Sequence, residues 1–139
     1  FHPLTDRISY ALIQEGLFFD DGNIKVTAVH SDHMKASTNV CYGFLIEGEG
    51  SRVYITGDLH PSLEDFPAQL LSEPVDALIT ECAHFSAEEL VQKLLGVNAR
   101  RILVVHVNPQ SRYEDLRAVC SGHPKLPVCY PNDGDIFSC

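Results

Sequence analysis

Arg52-Val53-Tyr54-Ile55-Thr56-Gly57-Asp58-Leu59-His60 is the stretch on which the reading of this chain turns. Val53 to Thr56 is β-branched and aromatic, the composition of a buried strand. Gly57 lets the backbone turn sharply, and a carboxylate follows at once. A half-buried carboxylate at a strand end must be ion-paired, hydrogen-bonded or bound to a metal, because it has lost part of its water. Asp58 alone admits a plainer reading, a loop residue that caps a helix or bonds local amides. A second strand end repeats the arrangement, however, in Ile102-Leu103-Val104-Val105-His106. Two strands from distant parts of the chain each carry a metal-competent side chain at the C-terminal tip, where open sheets build their sites.

The composition limits what such a site could serve. The 139 residues suffice for one domain with a real core. Hydrophobic residues make up 45% and charged residues 21%, a globular balance. The net charge of −9 argues against a nucleic-acid surface, which needs clustered Lys and Arg, and leaves room for a divalent cation. No apolar run approaches the roughly 20 residues that cross a membrane, and no signal-peptide pattern is visible. The cysteines Cys41, Cys82, Cys120, Cys129 and Cys139 are odd in number and form no C-x-x-C pair. They read as reduced thiols of a cytoplasmic protein rather than a disulfide framework. The chain begins with Phe1, so it is expected to be processed or to belong to a longer polypeptide.

Outward from the deciding stretch, the order of elements is strand, hairpin, then strand–helix units. Residues 1–23 form a poorly defined leading segment, with a short helix expected before Gly16 and a turn at Asp20-Asp21-Gly22-Asn23. Ile24 to Val29 alternates apolar and polar residues and runs into His30-Ser31-Asp32-His33. Val40 to Glu47 is the next strand, joined through Gly48-Glu49-Gly50-Ser51 to the Asp58 strand. Leu63 to Leu71 reads as a short helix, although Pro67 interrupts it. Val75 to Thr80 is a strand buried on both faces, ending at Glu81-Cys82-Ala83-His84. Ser86 and Glu89 form a capping box before Leu90, Val91, Leu94 and Leu95. Arg101 to His106, a helix over Tyr113 to Cys120, and a final strand pair around Asp133-Gly134 complete the chain. Such alternation implies a partly parallel, mixed sheet of the α/β (α+β) class in a single domain over 1–139.

Four residues lie just beyond predicted strands: His33, Asp58, His84 and His106. Imidazole and carboxylate are the donors that zinc uses, and they also suit iron or manganese. One histidine beside a strand is more often a hydrogen-bonded structural residue. Four on a common sheet edge would form a metal site.

At this point the residues carry a resemblance. Val26-Thr27-Ala28-Val29-His30-Ser31-Asp32-His33, Tyr42-Gly43-Phe44-Leu45-Ile46-Glu47 and Tyr54-Ile55-Thr56-Gly57-Asp58 resemble the C-terminal half of a metallo-β-lactamase-fold hydrolase. Asp76-Ala77-Leu78-Ile79-Thr80-Glu81, His84-Phe85-Ser86, Val104-Val105-His106-Val107-Asn108-Pro109 and Asp133-Gly134-Asp135 continue in the same order. Ser111-Arg112-Tyr113 is similar to the ribonuclease Z-like, phosphodiesterase-like branch. The resemblance implies half of a four-layer αββα sandwich, with helices on one sheet face. It implies His33 as a ligand of one metal, His106 of a second, and Asp58 bridging both. His30 stands as the alternative to His33. It also implies His84 as a proton donor, oriented by Glu81. His60, His2 and His123 are expected at the surface.

The implied activity is metal-dependent hydrolysis of a phosphodiester or related ester, with two divalent ions, zinc first, activating a hydroxide. A lactone, thioester or other acyl substrate comes second. The H-x-H-x-D-H segment that supplies the other ligands in that family is absent, so the chain is expected to be inactive alone. Half a sandwich would also leave an apolar sheet face uncovered. The expected partners are the missing N-terminal half of its own fold or a second copy, besides a small ester or phosphoester. The competing readings are a metal-free interaction domain using that face, and a thiol role through Cys82 or Cys41.

Overall fold

The computed structural model describes residues 11–37 and 39–137. Seven strands form one sheet: β1 (Gly16–Asp20), β2 (Ile24–Ser31), β3 (Cys41–Gly48), β4 (Ser51–Ile55), β5 (Val75–Cys82), β6 (Ala99–Val107) and β7 (Val128–Cys129). Two helices, α1 (Ala87–Leu94) and α2 (Arg112–Ser121), follow β5 and β6. Spatial order equals chain order. β1 to β4 pair antiparallel, and β4 to β7 pair parallel. β2, β4, β5, β6 and β7 therefore run in one direction, and their C-terminal ends share one edge.

Local chemistry accounts for the connections. Asp21 Oδ1 accepts hydrogen bonds from the amides of Asn23 and Ile24 at 2.9 and 2.8 Å, which closes the β1–β2 turn. These bonds hold the Asp21 carboxyl below the usual carboxylate range. Between β3 and β4 the two turn residues, Glu49 and Gly50, have φ of 51° and 82°. Two successive positive φ values match the twist of a tight hairpin. α1 starts at Ser86, whose side chain accepts from Glu89 N while Glu89 accepts from Ser86 N, a complete capping box.

The core lies on one sheet face. Tyr54, Leu78, Ile102 and Val104 meet Leu90 and Leu94 of α1 and Leu116 of α2 in one buried cluster. Both helices thus cover the same face. Strand alternation puts Ile46, Val53, Ile55, Ile79 and Val105 on the opposite face, where they are half-buried. Register aligns them across the sheet, with Ile46 opposite Val53 and Ile55 opposite Ile79.

Three expectations are corrected. Residues 63–71 are turns followed by a 3-10 segment, Ala68–Leu71, rather than an α-helix. Pro67 cannot donate a helical hydrogen bond, so it stops an α-helix at this point. At the C-terminal end β7 stands without a second strand among the described residues, and Asp133-Gly134 is a turn. Conversely, Leu17, Phe18 and Phe19, read as part of a leading segment, form β1 on β2. The expected helix before Gly16 falls largely outside the described residues, and 11–15 are not helical.

Candidate metal centre

His33, Asp58, Glu81, His84 and His106 meet on the shared C-terminal edge. Gly57 carries the chain out of β4 with φ of 64°, and its α-carbon passes so near β3 that a Cβ would lie 2.8 Å from Tyr42 O. That turn delivers Asp58. His106 sits in a bulge: Glu81 pairs with Val105 and Cys82 with Val107, so His106 is the extra residue. Its φ is 45°, a left-handed value uncommon outside glycine. Bulges re-aim a side chain next to functional sites, and this one turns His106 toward Asp58.

Asp58 Oδ1 lies 3.0 Å from His106 Nδ1, and Oδ2 lies 3.9 Å from His33 Nε2. His33 Nδ1 is 3.0 Å from Leu59 O. A carbonyl can only accept, so Nδ1 carries a proton, and Nε2 is the nitrogen turned toward Asp58. His84 is held alike, with Nδ1 2.7 Å from both carboxylate oxygens of Glu81. Its Nε2 is left toward the rim, and its ring packs 4.6 Å from that of His33 and 5.6 Å from that of His106.

Glu81 is 2% exposed. A carboxylate so buried needs full compensation. It receives Leu59 N at 2.7 Å, Ala83 N at 2.8 Å and the His84 imidazole. One side chain therefore ties the loop after β4 to the loop after β5. Arg112 strengthens the second loop, donating to Cys82 O at 3.2 Å and Ala83 O at 2.6 Å. Sequence reading took Arg112 as a family hint only; its structural task is to clamp the backbone beside His84.

Two sets of donor atoms lie within 4.8 Å of one another: His33, Asp58 and His84, and Asp58, Glu81 and His106. Asp58 belongs to both. The donor set fits a divalent ion, since neutral imidazoles and carboxylates are what zinc, iron and manganese accept. A small cavity of about 90 Å³, walled largely by Ile55, Ile79 and Val105, reaches Asp58, Glu81 and His106.

The other histidines stay apart. His30, the alternative to His33, is exposed and edge-on to Tyr42, and it joins neither donor set. His60 is half-buried, with Nδ1 2.8 Å from Ser62 Oγ. His123 is half-buried far along the chain, and His2 lies outside the described residues. Cys82 is buried, which pushes its thiol up to about 11 and disfavours a reactive thiolate.

The fold and the rim of donors define a class: a mixed α/β sheet of the metallo-β-lactamase fold. The chain has that fold, and solved structures with it align well. It is similar to the metallo-β-lactamase fold protein YhfI from Bacillus subtilis, with a TM-score of 0.72 and 20% identity over 91% of this chain and 54% of that one. It is similar to an isothiocyanate hydrolase from Delia radicum gut bacteria, with a TM-score of 0.72 and 14% identity over 92% of this chain and 60% of the other. A third is human tRNase Z, short form, with a TM-score of 0.61 and 18% identity over 88% of this chain and 44% of the other. The chain thus spans about half the length of these structures. No protein-family model and no curated protein matches the sequence.

Proposed function

We propose that the chain contributes part of the active site of a metal-dependent hydrolase acting on a phosphodiester or related ester. The observation that carries this reading is that one carboxylate, Asp58, belongs to two donor sets at a common rim. In this reading His33 and Asp58 hold one divalent ion, Asp58 and His106 hold a second, and zinc is the first choice of metal. When bound, such ions polarise the substrate and lower the pKa of a water toward neutrality. His84 would give a proton from Nε2 to the leaving group as an imidazolium and be left with its proton on Nδ1, where Glu81 accepts and fixes the ring. A cleft of about 700 Å³ past the ends of β6 and β7 is lined by Tyr113, Arg117 and Tyr130 but also by Glu114 and Asp133, and none of the five site residues lines it.

Two histidines and one carboxylate, His33, His106 and Asp58, are fewer donors than two full coordination shells require. The half-buried apolar face is accordingly assigned to a second sheet, which would bring the remaining ligands. The 54% and 60% coverage of the first two similar structures supports that assignment. A second copy of the chain is the alternative cover.

The test pairs metal analysis with turnover. The purified chain, and the full polypeptide that its gene encodes, are assayed for bound metal and for hydrolysis of bis(4-nitrophenyl) phosphate and 4-nitrophenyl acetate. Metal-dependent phosphodiester cleavage that Asp58→Ala removes supports the reading. Absence of metal and of turnover in the full polypeptide would favour a metal-free interaction domain.

A further inference from the structure

Asp65 lies outside both donor sets, yet it holds the two loops that carry His33 and Asp58. Asp65 Oδ2 accepts from Asp32 N at 2.9 Å, one residue before His33. Its two oxygens also lie 3.0 Å from His60 N, two residues past Asp58. Ser31 Oγ completes the knot. It lies 3.0 Å from Asp65 Oδ2 and 2.7 Å from Asp58 O, and it accepts from His33 N at 3.3 Å. β2 and β4 are not neighbours, since β3 runs between them. No ladder hydrogen bond therefore joins β2 to β4 directly, and side chains bridge the loops beyond their C-terminal ends, Asp65 and Ser31 together with the His33 Nδ1–Leu59 O contact.

The chain accepts strain to place the Asp65 side chain. Leu63 is a buried, non-glycine residue with φ of 54°. Leu63 N donates to His60 O at 2.8 Å, and Phe66 N donates to Leu63 O at 3.3 Å. The resulting turn folds Asp65 back under the loop it has just left. The Asp65 charge also reaches the buried Tyr54 phenol, which burial and this charge together push upward.

We propose that Asp65 is a positioning residue, whose carboxylate fixes the spacing of the His33-bearing and Asp58-bearing loops. Its consequence for metal rests on the hydrolase reading above, whereas the loop spacing does not. Replacing a group that orients metal ligands typically weakens metal binding about 10–100-fold.

The experiment compares Asp65→Asn, Asp65→Glu, Ser31→Ala and the control Glu64→Gln in the full polypeptide. Each is titrated with Co²⁺ by absorption spectroscopy and mapped by amide hydrogen exchange. Glu64 pairs with Lys35 at 2.7 Å at the exposed surface. The expected result is Co²⁺ affinity lowered about 10–100-fold in Asp65→Asn, less in Ser31→Ala, partly restored in Asp65→Glu and unchanged in Glu64→Gln. Exchange should rise at Asp32, His33 and His60 and stay constant in β5 and β6. Wild-type affinity and wild-type exchange in Asp65→Asn would overturn the proposal. Equal acceleration at every amide would do the same, since that is general destabilisation. If wild-type protein takes no Co²⁺, the metal reading fails and the exchange map alone decides the role of Asp65. If Asp65→Asn does not fold, Ser31→Ala decides by the same two readouts.

Discussion

Asp58 is reached from two sides, by His33 Nε2 and by His106 Nδ1, and that makes it the residue with most to lose. Asp58→Ala is expected to lower hydrolysis by orders of magnitude in the full polypeptide. His60→Ala, which removes a ring that meets Ser62 Oγ at 2.8 Å and Glu64 at 3.8 Å and belongs to neither donor set, should stay within a few-fold. Steady-state rates of the two variants check this, and equal losses would mean misassigned roles. That His33, Asp58, His84 and His106 meet at one edge was legible because imidazole and carboxylate at the ends of apolar strands are conspicuous in a sequence. Asp65 was not, because its partners are backbone amides, and nothing in a sequence marks which amides a carboxylate will meet. Arg112 was visible as part of Ser111-Arg112-Tyr113, but its carbonyl partners were not. Arg112→Ala should loosen the loop that holds His84 and slow turnover with little change in KM. Kinetics separate those two parameters.

At the scale of elements, α1 and the hairpins follow from local chemistry, and this part of the fold was readable. Ser86→Ala breaks the capping box and should cost about 1 kcal/mol in chemical denaturation. Glu89 adds a pH dependence. Hydrogen bonds from Ser86 hold its carboxyl below the usual range. A group lowered on folding stabilises above its unfolded pKa, and that stabilisation fades as pH falls through the folded value. The stability difference between wild type and Glu89→Gln should therefore shrink on acidification below the ordinary glutamate range. Denaturation at several pH values reads this directly. β1 was missed because Leu17-Phe18-Phe19 lacks alternation and contains a bulge. The 63–71 region was misread because its apolar spacing mimics a helix that Pro67 forbids.

For the molecule as a whole, the mixed α/β sheet was inferable from alternating strand and helix signals, and the shared edge from strand direction. The second face could be inferred only as a surplus of apolar residues. Ile46, Val53, Ile55, Ile79 and Val105 share the sheet face opposite the two helices among the described residues. If a second sheet or copy covers it, the 139-residue chain alone should self-associate or bind an apolar dye. Light scattering after size exclusion checks this, and a stable monomer without dye binding would count against it.

One consequence follows from the strand sequence in the sheet. Among the described residues, each ladder joins strands adjacent along the polypeptide, and none is threaded between two already formed. Material removed from either end should therefore peel away border ladders and leave the middle ones standing. The two donor sets among the described residues lie from β2 onward, so a chain starting at Gly22 should keep both, and the melting of that truncated form measures what the β1 border adds.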